Sequence, residues 1–393
     1  MKNVSIKILG FAVMMVFMSS CESYFGDQTD LSFIELPEQN FREVAYVPVQ
    51  PILNQFASPT DIIAGFDELI YVVDNGSQEV IALDQSGREV GRRFIQGAKT
   101  MAQDRSLDLL VIGTITDTIN SSIVRSCIYR LDLSTSMGYG LRFAEFTDTI
   151  IHPFYFKSSS ISSDQDVSLN NIAVLADNSF YVTRTGPRTT PTRDDAILLF
   201  DNTGKFITPL EVTDSRGAVY PDFFKDPIGI TSLVKPPQIN VDSRGDFIFT
   251  SVDPNGVLKV QYIEKLESVD GTAYTPKVNF SADTTLANSF INEPFKFDRP
   301  LDVEYAGDGT NYIFVVDAEK DSLYQFTSNG LEGVEPPPAS GETKFIKTSF
   351  GGTGIGAMQF NEPTAVAYKS RILYVADKGN GRVLRFKLTL DIR

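Results

Sequence analysis

Tryptophan is absent from this 393-residue chain, histidine occurs once, at His152, and cysteine twice, at Cys21 and Cys127. A single histidine excludes a zinc site built on several histidines, and Cys127 alone cannot replace them. It leaves a Ser-His-Asp triad one candidate base, His152 in DTIIHPFYF, and no G-x-S-x-G motif supports a nucleophile. Long helical periodicity is missing too. No basic run occurs anywhere, and 35 Lys and Arg stand against 50 Asp and Glu, a net charge of −15. Nucleic-acid backbones are bound by clustered Lys and Arg, so nucleic acid is not an expected partner.

The chain does hold 29 Phe and 15 Tyr. Short runs rich in Val, Ile, Tyr and Phe recur between Gly, Asp, Asn and Pro, the mark of an all-β protein. The first residues, MKNVSIKILGFAVMMVFMSSC, place Lys2 and Lys7 ahead of an apolar stretch from Ile8 to Met18. That stretch is too short to cross a bilayer core of roughly 30 Å. Ser19 and Ser20 then precede Cys21, an arrangement that resembles the lipobox of bacterial lipoproteins. The resemblance implies a signal peptide over residues 1–20, lipidation of Cys21, a tether over 21–40 and a folded domain over 41–393. An ordinary signal peptide, or a membrane anchor with a chance cysteine, is the alternative. Glu22, not Asp, follows the cysteine, which by resemblance to the enterobacterial sorting rule implies an outer-membrane lipoprotein, periplasmic or surface-facing. Cys127 would then lack an intrachain partner; in SCIYRLDL it alternates with apolar neighbours, so a buried, inert thiol is expected.

The apolar runs group at a long period. Ser58–Val90, Arg299–Gly330 and Glu362–Phe386 each show a proline, a strand, a polar turn, and a strand ending YVVD, FVVD or YVAD. Pro237, Pro300 and Pro363 recur at intervals of 63. Weaker copies span Thr100–Leu133, Asn170–Leu210 and Pro236–Lys265, which makes six units of roughly 40 to 65 residues. Units of three or four strands cannot bury both faces alone, but stacked radially they can. FGGTGIGAMQFNEPTAVAY followed by LYVADKGNGRVLRF resembles the NHL repeat of β-propellers over about residues 45–390. The resemblance implies a six-bladed β-propeller of NHL type. The last unit offers three strands and the chain then ends, so FREVAYVPV at Phe41–Val49 is expected to close the last blade as its outer strand.

The glycines at 351, 352, 354 and 356 do not spell a phosphate loop. A dinucleotide fingerprint needs G-x-G-x-x-G opening a helix, whereas here Ala357 replaces a glycine and Pro363 leads into a strand. A crossing between blades is expected. Asp74, Asp317 and Asp377, one per unit, are expected to brace turns; a shared metal role is the alternative.

Candidate binding residues lie where the pattern breaks. His152–Asn171 holds Phe154 and Tyr155. Thr183–Ala196 brings Arg184, Arg188 and Arg193 into an acidic chain, a candidate rim for an anionic or sugar ligand, with a solvated loop as the alternative. Ala218–Pro237 clusters Tyr220, Phe223 and Phe224, which could dock a partner or pack as core. The leading expectation is a lipid-anchored binding or protein-interaction module of the outer envelope, with a protein or carbohydrate ligand, no catalytic residues and no cofactor. Two others stay open. The resemblance to propeller lactonases implies a hydrolase with a calcium ion in the central channel, held by carboxylate and amide oxygens. The other is an accessory lipoprotein of an outer-membrane nutrient-uptake complex. The NHL-type amidating lyases use histidine ligands, and this chain departs from them.

Overall fold

A computed structural model describes residues 43–116, 123–151, 166–187, 195–214, 216–237, 244–269, 271–277, 280–338 and 340–392. Its strands build six four-stranded antiparallel sheets. The short strand β1 (Tyr46–Pro48) comes first in the chain. Blade one follows, with β2 (Pro59–Ala64), β3 (Ile70–Asp74), β4 (Glu79–Leu83) and β5 (Glu89–Phe94). Blade two is β6 (Thr100–Gln103), β7 (Leu109–Thr116), β8 (Val124–Asp132) and β11 (Glu145–Ile151), with a small hairpin of β9 (Ser134–Thr135) and β10 (Gly138–Tyr139) before its last strand. Blade three is β12 (Ser168–Val174), β13 (Phe180–Thr185), β14 (Ala196–Phe200) and β15 (Phe206–Pro209). Blade four is β16 (Pro227–Ser232), β17 (Phe247–Ser251), β18 (Val260–Ser268) and β19 (Gly271–Pro276). Blade five is β20 (Pro300–Tyr305), β21 (Ile313–Asp317), β22 (Ser322–Phe326) and β23 (Phe350–Gly351). Blade six is β24 (Pro363–Lys369), β25 (Ile372–Asp377) and β26 (Arg382–Leu388), and β1 completes it.

The middle strands show why these runs form blades. In β21 all five residues are buried. Ile313 and Val315 pack toward blade four, while Phe314 and Val316 pack toward blade six. A strand that points alternate side chains to opposite faces needs an apolar partner on both sides. The apolar core is accordingly divided among the six joints between neighbouring blades. The inner strands β2, β6, β12, β16, β20 and β24 touch in that order and close the ring from β24 back to β2.

Closure is by the N-terminal strand, as expected. Tyr46 pairs with Leu388 and Pro48 with Phe386. Val49 N–H donates to Arg385 O at 2.7 Å, and Leu53 exchanges backbone bonds with Val383 at 3.1 and 2.7 Å. Phe41 and Arg42, the start of the expected strand, lie outside the described residues.

Blade four corrects the reading of the repeats. Its inner strand begins at Pro227, and Pro237 comes after that strand. Pro227 pairs with Ser251 just as Pro59, Pro300 and Pro363 pair with Asp74, Asp317 and Asp377. Serine in the aspartate's place removes the tell-tale ending from FIFTS, so the interval from Pro237 to Pro300 was coincidence. The segment Ala218–Pro237 is therefore a loop followed by an inner strand.

Candidate functional site

Near the start of most inner strands the pairing slips by a residue, at Pro59/Asp61, Leu169/Ile172, Pro227/Ile230, Pro300/Asp302 and Pro363/Ala365. Such bulges re-aim side chains. Here Asp61, Asn171 and Asp302 come from three blades to line the same central cavity. Asp61 accepts bonds from Thr100 Oγ1 at 2.8 Å, Met101 N–H at 2.7 Å and Ile62 N–H at 2.8 Å. Asp302 accepts from Val366 N–H at 3.0 Å and Asn171 Nδ2 at 3.3 Å. Burial raises the pKa of both carboxyls, and the nearby Asp61 charge raises that of Asp302 further. These bonds staple blade one to two and blade five to six. Thr183 Oγ1 to Ile228 O at 2.8 Å and Thr364 Oγ1 to Pro59 O at 3.1 Å staple three to four and six to one.

At one end of the channel a cavity of about 250 Å³ is lined by Thr60, Lys99, Asn170, Ile228, Leu301 and Thr364, one from each blade, over a floor of Asp61, Asn171 and Asp302. Arg299, Glu362 and Lys378 also line it. Arg299 Nη1 lies 3.3 Å and Lys378 Nζ 3.1 Å from opposite oxygens of Glu362. Lys99 Nζ donates to Asn170 Oδ1 at 2.7 Å and Ser168 Oγ at 3.1 Å. Burial pushes the Lys99 ammonium down to about 8. The opposite end holds only about 40 Å³ and is lined by Lys235 and Glu304 among others. There Lys235 Nζ meets Glu304 Oε2 at 2.5 Å. Burial raises the Glu304 carboxyl, and Lys235 opposes the rise. Among the described residues no group of three His, Cys, Asp or Glu is placed to hold a metal ion.

The residues singled out from sequence fall elsewhere. Arg184 is fully buried in blade three, and its guanidinium donates to Gly186 O and Pro187 O at 3.4 and 2.6 Å. It is a brace within the blade, not part of an exposed rim. Tyr220 and Phe223 do come together, their rings 6.0 Å apart, beside a cavity of about 50 Å³. Phe223 packs onto Phe224 and Phe249 and so joins the core of the joint between blades three and four, while Tyr220 is exposed. Cys21, His152, Phe154, Tyr155, Arg188 and Arg193 lie outside the described residues. Cys127 is buried, and burial pushes its thiol up to about 11, which leaves it unreactive at neutral pH.

The repeat aspartates are braces. Asp74 accepts the N–H groups of Ala57 at 2.9 Å and Ser58 at 2.7 Å; Asp317 accepts those of Asp298 at 2.7 Å and Arg299 at 3.0 Å. Asp377 accepts Asn361 N–H and Arg382 Nε, both at 2.7 Å. Each holds the chain just before an inner strand, and Asp317 thereby fixes the backbone of Arg299 at the mouth. The glycine loop crosses from β23 to β24. Its amides are consumed internally: Gly354 N–H goes to Phe360 O at 2.9 Å and Gly356 N–H to Gln359 Oε1 at 3.1 Å. Arg382 takes the carbonyls of Ile355, Gly356 and Gln359 at 2.7, 3.0 and 3.0 Å. A phosphate cradle needs free, converging N–H groups, and these are not free.

Sequence reasoning passes over the channel residues, although their signal was present. Asp61 and Asp302 stand two places after the repeat proline, in PTD and PLD, and Arg299 and Glu362 stand one place before it.

No protein-family model matches the chain, and no curated protein does either. Solved structures do share its fold. An auxiliary nutrient binding protein from Bacteroides ovatus superposes with a TM-score of 0.51 at 12% identity, over 88% of this chain and 77% of that one. A protein of unknown function from Bacteroides thetaiotaomicron gives 0.49 at 12%, over 87% and 72%. A streptogramin B lyase gives 0.45 at 14%, over 88% and 98%. At such identities the likeness is one of fold.

Proposed function

We propose that this chain is a binding module of the cell envelope, an NHL-type propeller tethered through a lipid on Cys21, which takes a small polar solute into the mouth of its central channel. The observation that carries the reading is the mouth: a cavity of about 250 Å³ to which every blade contributes a residue. This is a little below the usual span of small-molecule sites, roughly 300–1,000 Å³, and suits a solute of monosaccharide size. The lining is held in place before any ligand arrives, by the inter-blade bonds of Asp61, Asp302 and Thr364, which lowers the cost of ordering on binding. The Bacteroides ovatus propeller is named as an auxiliary nutrient binding protein. A nutrient solute, delivered beside an outer-membrane uptake system, is the role proposed for this mouth.

Thermal shifts with a panel of monosaccharides, uronates and short carboxylates test the site, using Ile228→Trp to fill the mouth. Shifts seen with the native chain should vanish in the filled variant. A shift that survives the filling places the ligand elsewhere and overturns the reading. Cys21→Ser should release the protein from the membrane fraction; unchanged retention sinks the lipid tether. A second reading, a calcium-dependent hydrolase, draws on Asp61, Asn171 and Asp302 meeting at the cavity floor. It requires their oxygens to exchange the N–H and O–H donors they now hold for a cation.

A further inference from the structure

Lys99 is the odd cation of the channel mouth. It is half-buried, and both of its bonds go to neutral oxygens, Asn170 Oδ1 and Ser168 Oγ. Among the described residues no carboxylate pairs with it, and burial is the sole cause of its lowered pKa. A buried ammonium normally has an anion beside it, because desolvating a lone charge is expensive. Among the described residues Lys99 lacks one.

The surrounding charges point the same way. Arg299 and Lys378 line the same cavity and share a single carboxylate, Glu362. The cavity lining thus sets three cations, Lys99, Arg299 and Lys378, beside three carboxylates, of which Glu362 alone stands with the cations at the mouth while Asp61 and Asp302 form the floor. The two acids of the floor, Asp61 and Asp302, already accept bonds from backbone N–H groups of neighbouring strands. Around them stand hydroxyls whose protons are spent. Thr60 Oγ1 donates to Lys99 O at 2.8 Å and Thr364 Oγ1 to Pro59 O at 3.1 Å. Each keeps lone pairs that can accept from a hydroxylated solute.

We propose that the ligand of the mouth is a compact organic carboxylate bearing hydroxyl groups, its carboxylate paired with Lys99 and its hydroxyls donating to Thr60, Thr364 and Glu362. The inference rests on the mouth being the binding site and adds the chemistry of what enters it. A neutral solute would leave Lys99 as poorly paired as before. A cation would face Lys99 and the Arg299–Lys378 pair at the mouth, and below them floor acids already engaged by backbone N–H donors. A doubly charged phosphate would meet Glu362 with only one unpaired cation to answer it.

Calorimetric titration of the full chain with D-galacturonate, D-galactose and inorganic phosphate tests this. The two sugars differ only in a carboxylate against a CH₂OH. At pH 6.5 galacturonate should bind at least tenfold tighter than galactose. Its advantage should shrink about tenfold by pH 9.5, because the free Lys99 has lost its proton above about 8 and binding must restore it. Lys99→Met should abolish the advantage at both pH values. Lys99→Arg should keep it at both, since the guanidinium stays charged. Equal binding of the two sugars, each blocked by Ile228→Trp, overturns the carboxylate inference and leaves the mouth as the site. Galacturonate binding that ignores Ile228→Trp overturns the mouth itself. An advantage that survives Lys99→Met, phosphate binding tighter than galacturonate, or no galacturonate heat at tens of millimolar also overturns the inference.

Discussion

Single side chains in this protein do two kinds of work, and their chemistry tells them apart. Asp74, Asp317 and Asp377 spend their oxygens on the chain ahead of the inner strands, and a buried carboxylate so bonded is structural. That role was legible in the sequence, because the three aspartates end equivalent strands and sit in separate blades. The buried thiol of Cys127 was legible for a similar reason, its alternation with apolar neighbours. Lys99 was not. It follows no motif, and only the bulged geometry of the inner strands reveals that it shares a cavity with Asn170 and Arg299. A residue kept for a ligand should cost stability when the ligand is absent. Lys99→Met is therefore expected to raise the melting temperature of the ligand-free protein by a few degrees at pH 7. The sign follows from the lowered pKa. Between about 8 and the ordinary value of 10.5 the unfolded chain binds more protons than the folded one, so stability from this group rises with pH there. Below 8 the full cost of the buried ammonium is present, and the variant's advantage is greatest. The advantage should fade toward pH 10.5. A melting temperature that falls at pH 7 would mark Lys99 as a structural cation instead.

At the level of elements, alternation carried most of the fold. Runs such as IYVVD, IFVVD and ILYVAD are buried on both faces, as strands of a blade between two blades must be. The weaker copies misled where a residue type changed while the backbone did not. Blade four put Ser251 in the aspartate's position, and its hydroxyl donates to Lys225 O at 2.6 Å as a substitute brace. Insertions were visible as breaks in the pattern, yet their contents could not be assigned, and Arg184 shows why. Its charge suggested solvent, while the backbone offered it carbonyls inside the blade. The closing strand makes the firmest prediction at this scale. Tyr46 is buried against Phe350, and β1 covers an edge that β26 would otherwise expose. Deleting residues 43–49 removes this apolar contact and several ladder bonds, so it should cost several kcal/mol in a denaturant melt. The truncated chain should also associate through the bared edge, seen as larger species on gel filtration. A monomer of native stability would refute the closure.

For the whole molecule, the question is what holds six blades in a ring. Most of the answer lies in the apolar joints and in the polar bonds that cross them at the channel. Asp61 reaches Met101, Thr183 reaches Ile228, Asp302 reaches Val366, and Lys369 Nζ donates to Gly65 O at 2.8 Å across the closing joint. A central cation could have served instead, drawing oxygens from several blades to one point. The channel oxygens are otherwise employed. Both oxygens of Asp61 and both of Asp302 accept N–H or O–H donors, and Asn171 Oδ1 accepts the N–H of Ile172 at 2.7 Å. Glu304 is paired with Lys235, and Glu362 at the mouth with Arg299 and Lys378. Removing divalent ions with a chelator should accordingly leave the melting temperature within a few degrees, and calcium added back should not raise it. Binding to the folded state stabilises in proportion to the logarithm of ligand concentration over Kd, so a tightly held ion could not hide from this measurement. A drop of ten degrees or more, reversed by calcium, would mean that these carboxylates trade their N–H donors for a metal. The hydrolase reading of the channel would then displace the binding module.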